Sequence, residues 1–333
     1  MLELTEIQRI ASRFGLDVQN VTKIYDTSHG EDDKRLNYVL DGKYVLKVNS
    51  VGAMWEERLQ EIRRLIGRYR SIGVYCPDLI PTPEGALSCD LTRDGKEYVC
   101  FVEEFAKYPV IGDMDHDRKE IVEHLGILAS KYTGVDLSET RSMWSIIDLA
   151  PLDVDIDEKQ ENTDILVNAL RDHGFTELAE RVDRLNNMLR ERIKAVFAEL
   201  PRCVYQGDLN STNELHKDGH FVGLIDFNMA GTEVNINVFV NETQSFPEEE
   251  EFDLRTVPQI LAEMEREQEA GLAVILRNYS LNADEEYAMP YYKRISDLFQ
   301  YPNVCSMVKW LKDESRREKC VSLITALAEK ELR

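Results

Sequence analysis

An aspartate, an asparagine five residues on and a second aspartate closing the next apolar strand stand out in Gln206-Gly207-Asp208-Leu209-Asn210-Ser211-Thr212-Asn213 and in Leu224-Ile225-Asp226-Phe227. Three oxygen-bearing side chains so spaced can surround one magnesium-bound phosphate, because magnesium takes hard oxygen donors and shares its shell with phosphate oxygens. The stretch between them reads as a hairpin: Glu214-Leu215-His216 and Phe221-Val222-Gly223-Leu224-Ile225 are strand-like, and Lys217-Asp218-Gly219-His220 holds an Asp-Gly pair. A hairpin returns on itself, so Asn213 where it begins and Asp226 where it ends can reach one cation. A polar turn alone would also use Asp and Asn. It would not explain a carboxylate at the end of the second strand.

These residues resemble the catalytic and metal-binding loops of the aminoglycoside phosphotransferase and choline kinase group, small-molecule kinases whose pattern runs His-Gly-Asp-Leu-x-x-x-Asn and then Ile-Asp-Phe or Ile-Asp-Trp. Gln206 stands where that family usually has His, a residue that supports the loop. Gln can still hydrogen-bond through both ends of its amide. The resemblance implies an α+β, bilobal protein-kinase-like fold. A small antiparallel-sheet lobe over residues 1–105 would bind nucleotide. A larger, mainly helical lobe over residues 106–333 would carry the catalytic and metal-binding loops and the substrate site. Asp208 would be the catalytic residue that accepts or orients the proton of an acceptor hydroxyl. Asn213 and Asp226 would ligate Mg2+, the one metal cofactor expected, and ATP or GTP would be the phosphoryl donor.

Elements that must position these groups are readable upstream. Thr5-Glu6-Ile7-Gln8 has the form of a capping box opening a short helix that Gly15 ends. Strand-like runs follow at Val21–Tyr25, Asn37–Leu40 and Lys43–Val48, the last two joined by Asp41-Gly42. The connecting stretch from Asp26 to Lys34 occupies the place of a phosphate-covering loop, although it has one glycine and several acids. Lys47 lies on the apolar run Tyr44-Val45-Leu46-Lys47-Val48. Facing inward it needs an anion, which the nucleotide phosphates would supply; facing outward it is an ordinary solvent-side lysine. A helix from Trp55 to Arg70 offers Glu61, in a setting similar to the family's Arg-Glu-x-x-x-Leu, to hold Lys47 toward phosphate. Glu57 is the rival, and neighbouring arginines could instead take Glu61 into a surface ion pair. Two more strands, Ala86–Leu91 and Tyr98–Phe105, complete a five-stranded lobe. Glu103 and Phe105 at its end resemble the hinge where this family holds the nucleotide base through backbone atoms.

The remainder reads as helical, with an apolar stripe at Ile121, Leu125, Leu128, Ala129 and Tyr132 and another at Leu178, Val182, Leu185, Leu189, Ile193, Val196 and Phe197. His116, His124 and His173 show no ligand spacing. The block Glu248–Glu251 is either a solvated helix start or part of a rim that selects cations.

Composition bounds the functions. With 333 residues, 43% hydrophobic and 31% charged, the chain suits one large or two smaller cores. A net charge of −22 excludes a general nucleic-acid binder and suits a cationic acceptor such as an aminoglycoside or amino alcohol. It also suits plain solubility. No apolar run is long enough to span a membrane, and an acidic start without a signal-peptide pattern gives the expectation of a cytoplasmic protein. Cysteines at 76, 89, 100, 203, 305 and 320 form no CxxC pair and read as reduced thiols. The partner expected is thus a small-molecule hydroxyl acceptor, with neither nucleic acid nor membrane; oligomeric state is not legible. Two further function classes remain open: a nucleotide-binding pseudokinase acting through partner contacts, and a protein kinase. The second is disfavoured because Asp226-Phe227-Asn228 replaces Asp-Phe-Gly and no Ala-Pro-Glu segment follows.

Overall fold

Three Asp-Gly pairs fix three tight hairpins. Asp41-Gly42, Asp94-Gly95 and Asp218-Gly219 all have positive φ at both residues in the computed structural model of the chain. That is the requirement of the turn whose twist matches antiparallel strands, and Asp and Gly are residues that tolerate it. The structure describes residues 1–332 apart from 29, 31–32, 53, 113–117 and 141–157. His116 lies outside the described residues, as do His29, Glu31 and Asp32 of the loop after the first strand.

The chain starts with helix α1 (Leu4–Ser12), then strands β1 (Val21–Asp26), β2 (Arg35–Leu40) and β3 (Tyr44–Ser50), helix α2 (Glu56–Ser71), and strands β4 (Leu79–Ile80), β5 (Ser88–Arg93) and β6 (Lys96–Glu104). The helix starts one residue before Thr5, with Glu3 at its N-cap and no side-chain cap, so the expected capping box does not form. The hydrophobic face of Ile7, Ile10 and Ala11 sets this helix, and it is buried with Tyr38, Leu46, Cys100 and Val102 in one core. All six strands join one antiparallel sheet in the order β1-β2-β3-β6-β4, with β5 also paired to β6. The five expected strands are present. The two-residue β4 is the addition: its Pro-flanked segment is too short to leave a periodic signal.

Next come helices α3 (Arg118–Tyr132), α4 (Glu158–Asp172) and α5 (Thr176–Lys194), strand β7 (Arg202–Tyr205), hairpin strands β8 (Glu214–Lys217) and β9 (His220–Leu224), and strand β10 (Gly231–Val234), which pairs with β7. Helices α6 (Asn235–Thr243), α7 (Glu249–Leu254), α8 (Val257–Ile275), α9 (Ala283–Phe299), α10 (Tyr301–Lys312) and α11 (Arg317–Glu329) complete the chain. Leu178, Val182, Leu189 and Ile193 of the long apolar stripe are buried, as their helical spacing requires.

Packing divides the chain into two compact units that are not contiguous in sequence. One holds Met1–His116 and Asp208–Asn228; the other holds Asp117–Gly207 and Met229–Arg333. The sequence reading set a boundary at 105 and placed the catalytic and metal-binding loops with residues 106–333. By contacts these loops group with the N-terminal unit instead. The reason is a set of backbone bonds that no local pattern announces. Tyr75 donates to Val222 and accepts from Leu224, Ile111 donates to Glu214, and His216 donates to Pro109. Gly223 has no Cβ because one there would stand 2.1 Å from the Tyr75 carbonyl oxygen.

Candidate functional site

The loop before the hairpin positions Asp208 by side-chain amides. Asn213 donates its Nδ2 to Asp208 Oδ2 at 2.8 Å, and Asn210 donates its Nδ2 to Asp208 Oδ1 at 2.8 Å. Each carboxylate oxygen therefore has a donor, which holds the group in one orientation. Asn210 in turn accepts from Thr212 N at 3.0 Å, an Asx turn that sets the loop. Gln206, fully buried, precedes this loop. Gly207 has φ +83°, and a Cβ there would lie 2.2 Å from the Met229 carbonyl oxygen, so the position accepts glycine only.

The hairpin then ties Asn213 to Asp226. Ile225 N donates to Asn213 O at 2.9 Å, and Asp226 itself adopts φ +55°. That left-handed residue turns the chain just beyond β9, a conformation Asp tolerates better than most. Phe227 is buried and meets Tyr69 of α2 edge-on, with ring centroids 5.8 Å apart.

Lys47 faces inward. Its residue is 8% exposed, and its Nζ lies 3.1 Å from Glu103 Oε1 and 4.0 Å from Asp226 Oδ1. The sheet register explains the first contact. Lys47 is directly opposite Phe101 on β6, so Glu103, two residues further along the same face, is its diagonal neighbour. Burial works against the Lys47 ammonium, but the charges of Glu103 and Asp226 outweigh it and the pKa is raised. Burial raises the Glu103 carboxyl, Lys47 pulls it back down, and Asp226 pushes it up again, with a net rise. Two carboxylates share one ammonium.

Glu61 does not reach Lys47. It pairs with Arg58 at 3.3 Å, three residues earlier on α2. Arg58 is 3% exposed and also donates to Asn228 O at 3.4 Å. A buried guanidinium takes the nearest carboxylate on its own helix face, so an arginine of α2 does pair with Glu61, in a largely buried pair rather than the surface pair weighed from the sequence. Glu57 is exposed. At the expected hinge, Phe105 is 38% exposed and its N–H is donated to Lys43 O at 2.8 Å, so this position offers its ring rather than its amide. Glu104 is held by Arg70 at 3.1 Å, and its N–H is donated to Asp78 O.

In the loop between β1 and β2, Asp26 accepts from Ser28 N at 3.0 Å and Asp33 pairs with Arg35 at 2.8 Å. Hydrogen bonds from Ser28 lower the Asp26 pKa. The loop's own groups thus occupy these two acids.

The structure therefore brings together Asp208 with Asn213, and Lys47 with Glu103 and Asp226, while leaving Glu61 elsewhere. Two contributors were missed in the sequence. Asn210 was legible as an Asx residue two places after Asp208. Glu103 as the Lys47 partner was legible only from register. Asn213 and Asp226 supply an amide oxygen and a carboxylate, hard donors that suit magnesium. Because Asn213 gives its nitrogen to Asp208, its oxygen is the end that can meet a cation. Among the described residues no three His, Cys, Asp or Glu side chains converge as a metal cage. Magnesium commonly takes one or two protein ligands and completes its shell with phosphate and water.

A profile described as the phosphotransferase enzyme family matches residues 28–233, well over half of the chain. Among curated proteins, none matches the chain by sequence. Solved structures with similar folds include a microcompartment-associated aminopropanol kinase (12% identity, TM-score 0.57, covering 98% of this chain and 95% of that one). A spectinomycin phosphotransferase solved with ADP and spectinomycin is similar at 12% identity and TM-score 0.54, covering 98% of both chains. An amicoumacin kinase solved with AMP-PNP and Ca2+ is similar at 11% identity and TM-score 0.55, covering 99% of this chain and 95% of that one. At such identities the likeness speaks for the fold: the α+β, protein-kinase-like architecture.

Proposed function

The chain belongs to the phosphotransferase enzyme family, and on that premise we propose that it moves the γ-phosphoryl group of ATP or GTP to a hydroxyl of a small molecule. The observation that carries the reading is the double hold on Asp208 by Asn210 and Asn213, with Asn213 also joined to the Asp226 strand. An aspartate fixed by two amides, close in sequence to an asparagine and an aspartate that can offer oxygens to a cation, is equipped to orient a hydroxyl next to a metal–phosphate group. It has little use as a structural turn.

In this reading Asp208 accepts a hydrogen bond from the acceptor hydroxyl and takes its proton as the oxygen–phosphorus bond forms and the bond to the departing diphosphate breaks. Proton loss comes late in a loose transition state, so orientation matters more than basicity. Lys47 binds the α- and β-phosphates. Glu103, rather than the Glu61 first considered, holds Lys47 extended in the nucleotide-free protein. Asn213 and Asp226 hold magnesium, which when bound neutralises charge on the phosphate oxygens. Glu61 and Phe105 remain candidates for supporting the nucleotide, Glu61 by exchanging partners and Phe105 through its half-exposed ring. The functional division proposed is nucleotide binding by residues 1–105 and acceptor selection by the helical residues of 106–333.

A cationic acceptor is favoured by the net charge of −22. The names of the aminopropanol, spectinomycin and amicoumacin enzymes point to amine-bearing or antibiotic acceptors, and these are the compounds to assay first. No helix among the described residues is long and apolar enough to cross a membrane.

The test is release of ADP or GDP with a panel of amino alcohols, aminoglycosides and sugars, followed by Asp208→Asn on the best acceptor. The variant keeps shape and loses charge. Its kcat is expected to fall about a hundredfold or more, in line with loss of a general base, while nucleotide affinity stays within a few fold. Unchanged turnover removes Asp208 from the reaction. Nucleotide binding by wild type with no turnover on any acceptor turns the reading to a pseudokinase.

A further inference from the structure

Six cysteines are present, and two of them face each other. On the β5–β6 ladder Cys89 lies directly opposite Cys100. Both are buried, at 5% and 0% exposure, in the sheet core. Opposite residues in an antiparallel ladder have Cα atoms about 4.5 to 5.5 Å apart, within the roughly 4.4 to 6.8 Å that a disulfide spans.

We propose that Cys89 and Cys100 are an oxidisable pair, converted by a peroxide into a reversible cross-strand disulfide. Cys89 is the attacking sulfur. It is the second residue of β5, a strand that among the described residues pairs with β6 alone, so fraying at the sheet margin uncovers it at low cost. Arg13 anchors to the adjacent backbone by donating to Asp90 O at 3.0 Å. The neighbouring Cys100 side chain lowers the Cys89 thiol; burial opposes this, and the Arg13 charge adds to the lowering. The neighbouring Cys89 side chain and burial push the Cys100 thiol up.

The chemistry balances in two steps. The Cys89 thiolate attacks one peroxide oxygen, the O–O bond breaks, and a sulfenic acid and one water result after protonation. Cys100 sulfur then attacks Cys89 sulfur, the S–O bond breaks, and the Cys100 proton leaves with the hydroxyl as a second water. Two thiols lose two electrons, and one peroxide becomes two waters. Cys100 lies three residues before Glu103 on β6 and opposite Val48, the neighbour of Lys47 on β3. The bond would pin the marginal strand to the one that carries the Lys47 partner.

The experiment treats folded wild-type protein with hydrogen peroxide, alkylates it under denaturing conditions and maps tryptic peptides. Cleavage after Arg93 and Lys96 separates the two cysteines, and because Cys76 shares the 71–93 peptide with Cys89, the diagnostic species is the linked pair of peptides, two hydrogens lighter, whose fragmentation places the bond on Cys89 and the alkyl group on Cys76. That species is expected in wild type, lost on dithiothreitol treatment, and absent from Cys89→Ala. Recovery of both cysteines in alkylated form while the exposed Cys305 is oxidised overturns the proposal, as does linkage of either one to a different cysteine. The decisive reading comes from wild type, so a variant that folds poorly cannot rescue it.

Discussion

A half-buried carboxyl in one compact unit and a fully buried one in the other meet the same problem differently. Glu103, in the N-terminal unit, is placed by sheet register against the Lys47 ammonium, with Asp226 competing for the same partner. Glu233, in the other unit, is 4% exposed on β10; its Oε1 accepts from Val234 N at 2.8 Å, and its Oε2 has no hydrogen-bond partner. Burial pushes the Glu233 carboxyl up to about 7, against smaller pulls from Val234, Asn237, Lys159 and Arg202. The first acid is compensated by charge, and the second is compensated by a proton. An ion pair kept in a partly open position can exchange partners with an incoming anion or cation. A protonated buried acid has only a fold to stabilise or destabilise.

Replacing Glu233 separates the two cases most sharply. A folded pKa near 7 against the ordinary 4.5 means the folded state holds its proton more tightly. Stability is therefore full below about pH 4.5 and falls as pH rises toward 7. Glu233→Gln removes that loss. We expect it to raise unfolding free energy by roughly 3 kcal/mol at pH 8 and to change little at pH 5, read by denaturant titration at both values. A stabilisation independent of pH would show that the carboxyl is not neutral in the fold.

Glu103→Gln should act with the opposite sign and less strongly. Removing one member of a buried pair usually costs several kcal/mol, but Asp226 still faces Lys47. A loss of about 1 to 2 kcal/mol at pH 8 is expected, with weaker nucleotide binding measured by titration. A stabilised variant would mean that Glu103, like Glu233, is held by its proton.

The smallest effect expected concerns surface charge. The block from Glu248 to Glu251 starts α7 with a capping box between Glu248 and Glu251, and Glu249 pairs with Lys309 and Arg316. These acids serve the helix start, where carboxylates complement the positive end of the dipole. If the acceptor is cationic as proposed, its steering is left to the diffuse charge of the protein, so KM should rise only two- to threefold between about 50 and 300 mM salt, since screening acts over roughly 8 Å at physiological ionic strength. A tenfold rise would point to a concentrated acidic rim.

How much was legible differs along the chain for physical reasons. The Asp-Gly hairpins, the strands around Lys47 and the Asp208 to Asp226 spacing are local, carried by backbone preference and by period-two patterning. The α1 start was misplaced by two residues because Thr5 and Gln8 satisfy the capping pattern in sequence while Glu3 takes the cap position. The Lys47 partner was assigned to Glu61 because both stand at family-like positions. Which carboxylate an ammonium meets depends on register across β3 and β6 and on Arg58, which claims Glu61 first.

By itself the sequence determined most of the elements and which side-chain types stand where. It carries the oxygen donors at Asp208, Asn213 and Asp226, the lysine on an apolar strand and the turns that make strands antiparallel, because each of these acts over a few residues. Only the tertiary structure decided who meets whom. Two amides on Asp208, two carboxylates on Lys47, the hairpin bonded to Tyr75 and Cys89 across from Cys100 are contacts between residues whose types permit many partners. Side-chain type sets which interactions are available, and sheet register and close packing select the ones that form.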